Sequence, residues 1–119
     1  MPVTTGVLVL SALAFSLAGQ LLWKSAAHDL AALGRVDFLL AAVRDARIVS
    51  GCAAWAMWTI CWLQVLRVMP LSKAYALTSL TYVFITLASA CILGEHVRRL
   101  HVGGIILIAT GVACVLASD

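Results

Sequence analysis

Charge is scarce in this chain. Charged residues make up 11% of its 119 positions, where a soluble domain carries about 25%. That is too little to cover a water-soluble globule of this size. Hydrophobic residues reach 64%, and the mean hydropathy is +1.09. The balance excludes a disordered chain, a disulfide-stapled secreted module and an ordinary soluble enzyme, and it reads as one small integral membrane domain. Only two prolines occur, Pro2 and Pro70, so little interrupts a helix. The four cysteines, Cys52, Cys61, Cys91 and Cys114, lie inside apolar runs and form no CxxC pair. They read as small apolar packing residues, not as disulfides or metal ligands. His28, His96 and His101 are too far apart in sequence to suggest a metal site. No acidic residue stands deep in any apolar run, although proton-coupled exchange usually relies on an ionisable group within the membrane. No nucleophile–base pair and no paired carboxylates appear, so an enzyme is not expected, nor any cofactor.

What is abundant is apolar sequence in four runs, at Val3–Leu22, Ile48–Leu66, Ala74–Leu93 and Val102–Ala117. A span needs about 20 residues at a rise of about 1.5 Å each. Open strands cannot cross lipid with unpaired backbone, so the runs read as helices. The expected architecture is all-α: a single domain over 1–119 with transmembrane helices at about 3–24, 47–68, 71–93 and 99–118. No Lys or Arg precedes the first run, so it reads as a retained anchor, not a cleavable signal. Pro70 allows only a tight connection between the second and third spans. In the long first connection, Asp37–Asp45 is too short to span and reads as an interfacial helix.

The basic residues set the orientation. The first and third connections hold six, Lys24, Arg35, Arg44, Arg47, Arg98 and Arg99. The second connection holds two, Arg67 and Lys73. The positive-inside rule then places the six in the cytoplasm and both termini in the periplasm of a bacterial inner membrane. The excess basic charge sits at span ends, so it reads as membrane topology, not nucleic-acid binding.

Several faces carry candidate function. Tyr75, Ser79, Tyr82, Thr86 and Ser89 recur at helical spacing along the third span. Such a face needs protein or a wet cavity, either through interhelical hydrogen bonds or as the lining of a substrate path. Ser16, Gln20 and Lys24, four apart, share a face of the first span. Lys24 either snorkels to the surface or belongs to a site. Trp55, Trp58 and Trp62 form a stripe on the second span, with Arg67 near its end. The stripe is either packing or a flat wall suited to an isoprenoid chain, a sugar face or an organic cation. Gly104, Ala109, Gly111 and Ala113 give the fourth span small-residue seams for close helix approach. Four short helices enclose little volume, so a homo- or heterodimer is expected.

The length, the four spans and the segment Pro70-Leu-Ser-Lys-Ala-Tyr-Ala-Leu-Thr-Ser-Leu80 resemble the small multidrug resistance branch of the drug/metabolite transporters. Gly94-Glu95 and Gly103-Gly-Ile-Ile-Leu-Ile-Ala-Thr-Gly-Val112 extend that likeness. Drug exporters of that branch carry a glutamate in the first helix. Aligned on Lys24, the matching position here is Ser16, so the coupling carboxylate is missing. Ser16-Leu-Ala-Gly-Gln-Leu-Leu-Trp-Lys24 resembles one small subunit of the bacterial 4-amino-4-deoxy-L-arabinose-phosphoundecaprenol flippase. Asp37-Phe38, Asp45-Ala-Arg-Ile48 and Leu71–Tyr82 resemble the other. The resemblance implies carriage of a polyprenyl-phosphate-linked sugar, or of the polyprenyl phosphate itself, across the inner membrane. Lys24, Arg67 and Lys73 would then meet the phosphate. Ser16, Gln20, Tyr75, Ser79 and Tyr82 would hydrogen-bond the head group. Two other functions fit the same sequence: an exporter of small organic cations, and an accessory subunit of a glycolipid-modifying complex.

Overall fold

The computed structural model describes residues 3–118, and every regular element in them is helical. The helices are α1 (Val3–Leu30), α2 (Arg35–Arg44), α3 (Ala46–Val68), α4 (Leu71–Thr78), α5 (Leu80–Ile92) and α6 (Arg99–Ala117). Four stretches are long and apolar enough to cross a membrane: α1, α3, α4 continued by α5, and α6. The all-α, four-span expectation therefore holds.

Helix α1 outruns its expected end at residue 24 and continues to Leu30. The apolar run stops at Leu22, but Ala26, Ala27 and Leu30 are strong helix formers and Ala26 is wholly buried. Hydropathy marks where lipid ends, not where the helix ends. His28 in the last turn also suits the negative end of the helix dipole.

The chain divides into two compact units, the first ending at Gln64 and the second beginning at Val65. In the first unit α1 and α3 meet through side chains. Ser11 Oγ lies 3.8 Å from Cys61 Sγ, and Trp23 Nε1 donates to the Ile48 carbonyl at 3.2 Å. Arg47 Nη1 meets Asp29 Oδ2 at 2.6 Å. Partners rise along one helix as they fall along the other, so the two run antiparallel. The buried face of α1 is Thr5, Val9, Ala12, Leu13, Ser16, Gly19 and Ala26. Helix α2 packs against α1, with Phe38, Ala41 and Ala42 half-buried and Val36, Leu39, Leu40 and Val43 exposed. Arg47, in the first turn of α3, also grips Asp45 Oδ2 at 3.1 Å.

In the second unit α4, α5 and α6 pack on one another. Their buried residues are Ala74, Leu77, Thr81 and Val112. Pro70 caps α4 at φ −58°, and the Ala74 N–H donates to its carbonyl at 3.0 Å. The connection from α3 is thus only Met69 and Pro70, as tight as Pro70 implied. The third span is not one even helix. It is interrupted at Ser79, where the Tyr82 N–H donates to the Ser79 carbonyl, three residues back, at 3.1 Å. Glycine is required after α5: Gly94 adopts φ +67° and lets the Glu95 N–H reach the Ser89 carbonyl at 3.1 Å.

Candidate functional site

The best-defined constellation is aromatic and lies within the first unit. Trp23 of α1 stacks on Trp55 of α3 with ring centroids 5.5 Å apart and planes 1° from parallel. Trp55 continues to Trp58 at 5.0 Å, tilted by 59°. Trp58 continues to Trp62 at 5.9 Å and 12°. The i, i+3 and i, i+4 spacings along α3 put the last three rings on one stripe. All four are half-buried. The stripe Trp55, Trp58 and Trp62 was legible in sequence. Its fourth member, Trp23, was not, because it comes from another helix.

Two glycines make this stack possible. A Cβ on Gly19 would stand 2.5 Å from Trp55 Cδ1 and 2.7 Å from its Nε1. A Cβ on Gly51 would collide with the Trp23 ring in the same way. Each helix therefore offers its glycine to the other's indole. The signal was present in the sequence as a repeated spacing: Gly19 precedes Trp23 by four, and Gly51 precedes Trp55 by four. Trp23 Nε1 is satisfied by Ile48, whereas Trp55 Nε1 is buried without a hydrogen-bond partner.

The polar face of α1 grades from inside to outside. Ser16 is buried, Gln20 half-buried and Lys24 exposed. The tryptophans and this face share the first unit.

The second unit holds the other expected site residues, and most of them face outward. Tyr75 is 60% exposed and Tyr82 65%, while Lys73 and Ser79 are half-buried. The packed seam of that span is Ala74, Leu77 and Thr81, on a different side of the helix from the two tyrosines. Four of the span's hydroxyls find local partners. Thr78, Ser79, Thr86 and Ser89 donate to the carbonyls of Ala74, Ala76, Tyr82 and Ile85 at 3.1, 2.5, 2.7 and 2.8 Å. Local back-bonding of this kind lets Ser and Thr sit in apolar surroundings. The small-residue seams of α6 also face out. Ala109, Gly111 and Ala113 are exposed and Gly104 is half-buried. A Cβ on Gly104 or Gly111 would meet nothing within 4 Å. The core side of α6 is instead marked by Val112. Cys52, Cys91 and Cys114 are exposed too, and only Cys61 is half-buried. This corrects their reading as packing residues within the single chain: only Cys61, beside Ser11, meets another helix. Arg67 is exposed at the end of α3. Among the described residues no three His, Cys, Asp or Glu side chains converge.

No family model matches the chain, and no solved structure matches it. It is similar to proteins named "Probable 4-amino-4-deoxy-L-arabinose-phosphoundecaprenol flippase subunit ArnE". The Enterobacter sp. (strain 638) protein is 36% identical over 106 residues, 89% of this chain and 91% of its own. Those of Salmonella newport and Salmonella typhimurium are each 36% identical over 107 residues, 90% of this chain and 92% of theirs.

Proposed function

The chain belongs to the family of the 4-amino-4-deoxy-L-arabinose-phosphoundecaprenol flippase subunits, and from that membership we propose that it carries a polyprenyl-phosphate-linked sugar across the bacterial inner membrane. It is a multi-pass membrane protein of four apolar helices. The observation that carries the reading is the likeness over about nine-tenths of both chains to relatives named for that cargo. The protein moves its substrate without a covalent step. The termini are periplasmic, because six of the eight basic residues fall in the first and third connections. It works with a second copy or a similar small subunit, which the relatives' designation as subunits supports.

A phosphodiester leaving water needs cations or donors in a low-dielectric path. By the proposed topology Lys24 stands toward the cytoplasmic end of α1, while Arg67 and Lys73 flank the periplasmic connection. Lys24 receives the phosphate on the way in, and Arg67 and Lys73 receive it on the way out. Ser16 and Gln20 hydrogen-bond the head group beside Lys24. Tyr75, Ser79 and Tyr82, largely outward in the single chain, meet it where a partner subunit closes the path. The prenyl tail stays in lipid throughout.

The test is flipping in vesicles containing purified protein and a short-chain polyprenyl-phosphate sugar, with an impermeant reagent reading the outer-leaflet pool. Protein-dependent flipping that is lost in Lys73→Ala, with the helices intact, is the expected result. Undiminished flipping in that variant removes Lys73 from the path. No flipping with or without a partner subunit sinks the flippase reading.

A further inference from the structure

We infer that Trp58 and Trp62 form the subsite for an ammonium-bearing sugar ring, and that the locked Trp23–Trp55 pair holds them in place. The inference rests on the flippase reading above and assigns one part of the substrate to one part of the chain.

The four rings are not equivalent. Trp23 is tied by its N–H to the Ile48 carbonyl and fills the notch left by Gly51. Trp55 presses its pyrrole edge into the notch at Gly19, with its N–H buried. Neither ring can turn without breaking the α1–α3 contact, so this pair is a foundation. Trp58 and Trp62 continue the stack and remain half-buried.

Their depth is unusual for lipid anchoring. Tryptophans that anchor a span sit at the two membrane interfaces. Trp58 stands near the middle of Ala46–Val68. An indole there gains nothing over leucine against acyl chains, and it carries an N–H into a medium that cannot hydrogen-bond it. A saccharide repays both features, because it offers C–H faces to the rings and oxygens to N–H groups.

The charge pattern narrows the ligand further. Asp29, in the last turn of α1, is the only carboxylate on the four spans among the described residues; Asp37, Asp45 and Glu95 lie off them. A protonated amine crossing mid-membrane therefore meets no counter-charge from this chain. An aromatic face attracts a cation without a charge of its own, and tryptophan does so best. The basic span ends take the phosphate while Trp58 and Trp62 take the amine, so the two ends of a zwitterionic head group are received by separate chemistries. The relatives' names specify a 4-amino sugar, which has this form.

The experiment is calorimetric titration of the protein in lipid nanodiscs with two probes. One is a short-chain polyprenyl-phosphate 4-amino-4-deoxypentose, and the other is its N-acetylated counterpart. The chain is made with ordinary or with fluorinated tryptophan, which weakens the ring's attraction for cations without changing its shape. We expect the amine to bind about tenfold tighter to the ordinary protein, the ratio of roughly 1.4 kcal/mol. That preference shrinks toward unity on fluorination and in Trp58→Leu. Equal binding of the two probes overturns the inference, as does a preference that survives fluorination. The readout is binding, so a retained preference without any flipping in vesicles would sink the flippase reading and leave the subsite standing.

Discussion

Trp23 and Trp55 are stacked, 5.5 Å between centroids with planes 1° from parallel, each seated over a glycine of the opposite helix. Replacing either glycine by alanine puts a methyl carbon inside a ring's contact distance. The flexible end of a side chain could move away, but a stacked indole cannot. Overpacking of a tight seam costs about 1–3 kcal/mol. Gly19→Ala and Gly51→Ala are each expected to lower the thermal midpoint and to remove the near-ultraviolet circular dichroism of coupled indoles. Unchanged spectra in both variants would mean that the stack does not depend on these notches.

How much of this was readable from sequence differs by element. The four spans and the tight turn at Pro70 follow from hydropathy and from one missing N–H, both local properties. The end of α1 was misplaced because Lys24, His28 and Asp29 end the apolar run without ending the helix. The interruption at Ser79 has no sequence mark, since Ser79 sits within an even polar spacing. The aromatic stripe was visible on α3, but stacking with Trp23 joins residues 32 positions apart and required the fold. The outward direction of Tyr75, Tyr82 and Gly111 could not be read at all, because periodicity names a face without saying what it faces.

Asp45 sets an acid limit on the first unit. Its carboxyl is held below the ordinary value of 3.8, chiefly by the side-chain hydrogen bond from Arg47 and next by the Arg47 backbone N–H. The folded chain thus keeps this carboxylate charged to lower pH than the unfolded chain does. Its contribution is complete above the ordinary value and is lost as pH falls from there through the depressed one. Thermal midpoints of wild type and Asp45→Asn, followed from neutral pH down through the depressed value, should converge at the acid end. A gap that stays constant with pH would show that the charge is not what matters at Asp45.

Thr81 is the opposite case, a buried polar atom with nothing to bond. The residue is 7% exposed, and its hydroxyl has no partner, although Thr78 and Thr86 donate to carbonyls four residues back. Burying an unpaired hydroxyl costs about 1–3 kcal/mol. Thr81→Val keeps the shape and removes that cost, so it is expected to raise the thermal midpoint while preserving helix content. A lower midpoint would show that the hydroxyl is used, and binding titration in the variant would identify by what.

The small-residue face of α6 separates folding from assembly. Gly111 and Gly104 stand seven apart, and a Cβ added at either meets nothing of its own chain within 4 Å. Ala109 and Ala113, also exposed, form a second seam about 160° around the helix from Gly111, while Val112 faces the core. In lipid, helices gain from backbone approach at small residues and not from burying apolar area. A leucine at position 111 should then leave the single chain intact and hold a partner helix away. Gly111→Leu is expected to keep the thermal midpoint and circular dichroism of wild type, to lose the cross-linked dimer in membranes, and to lose flipping with it. A fall in the midpoint would place Gly111 in the chain's own core. Intact cross-linking would move the assembly surface to another helix, with the exposed tyrosines of the third span next to be tested.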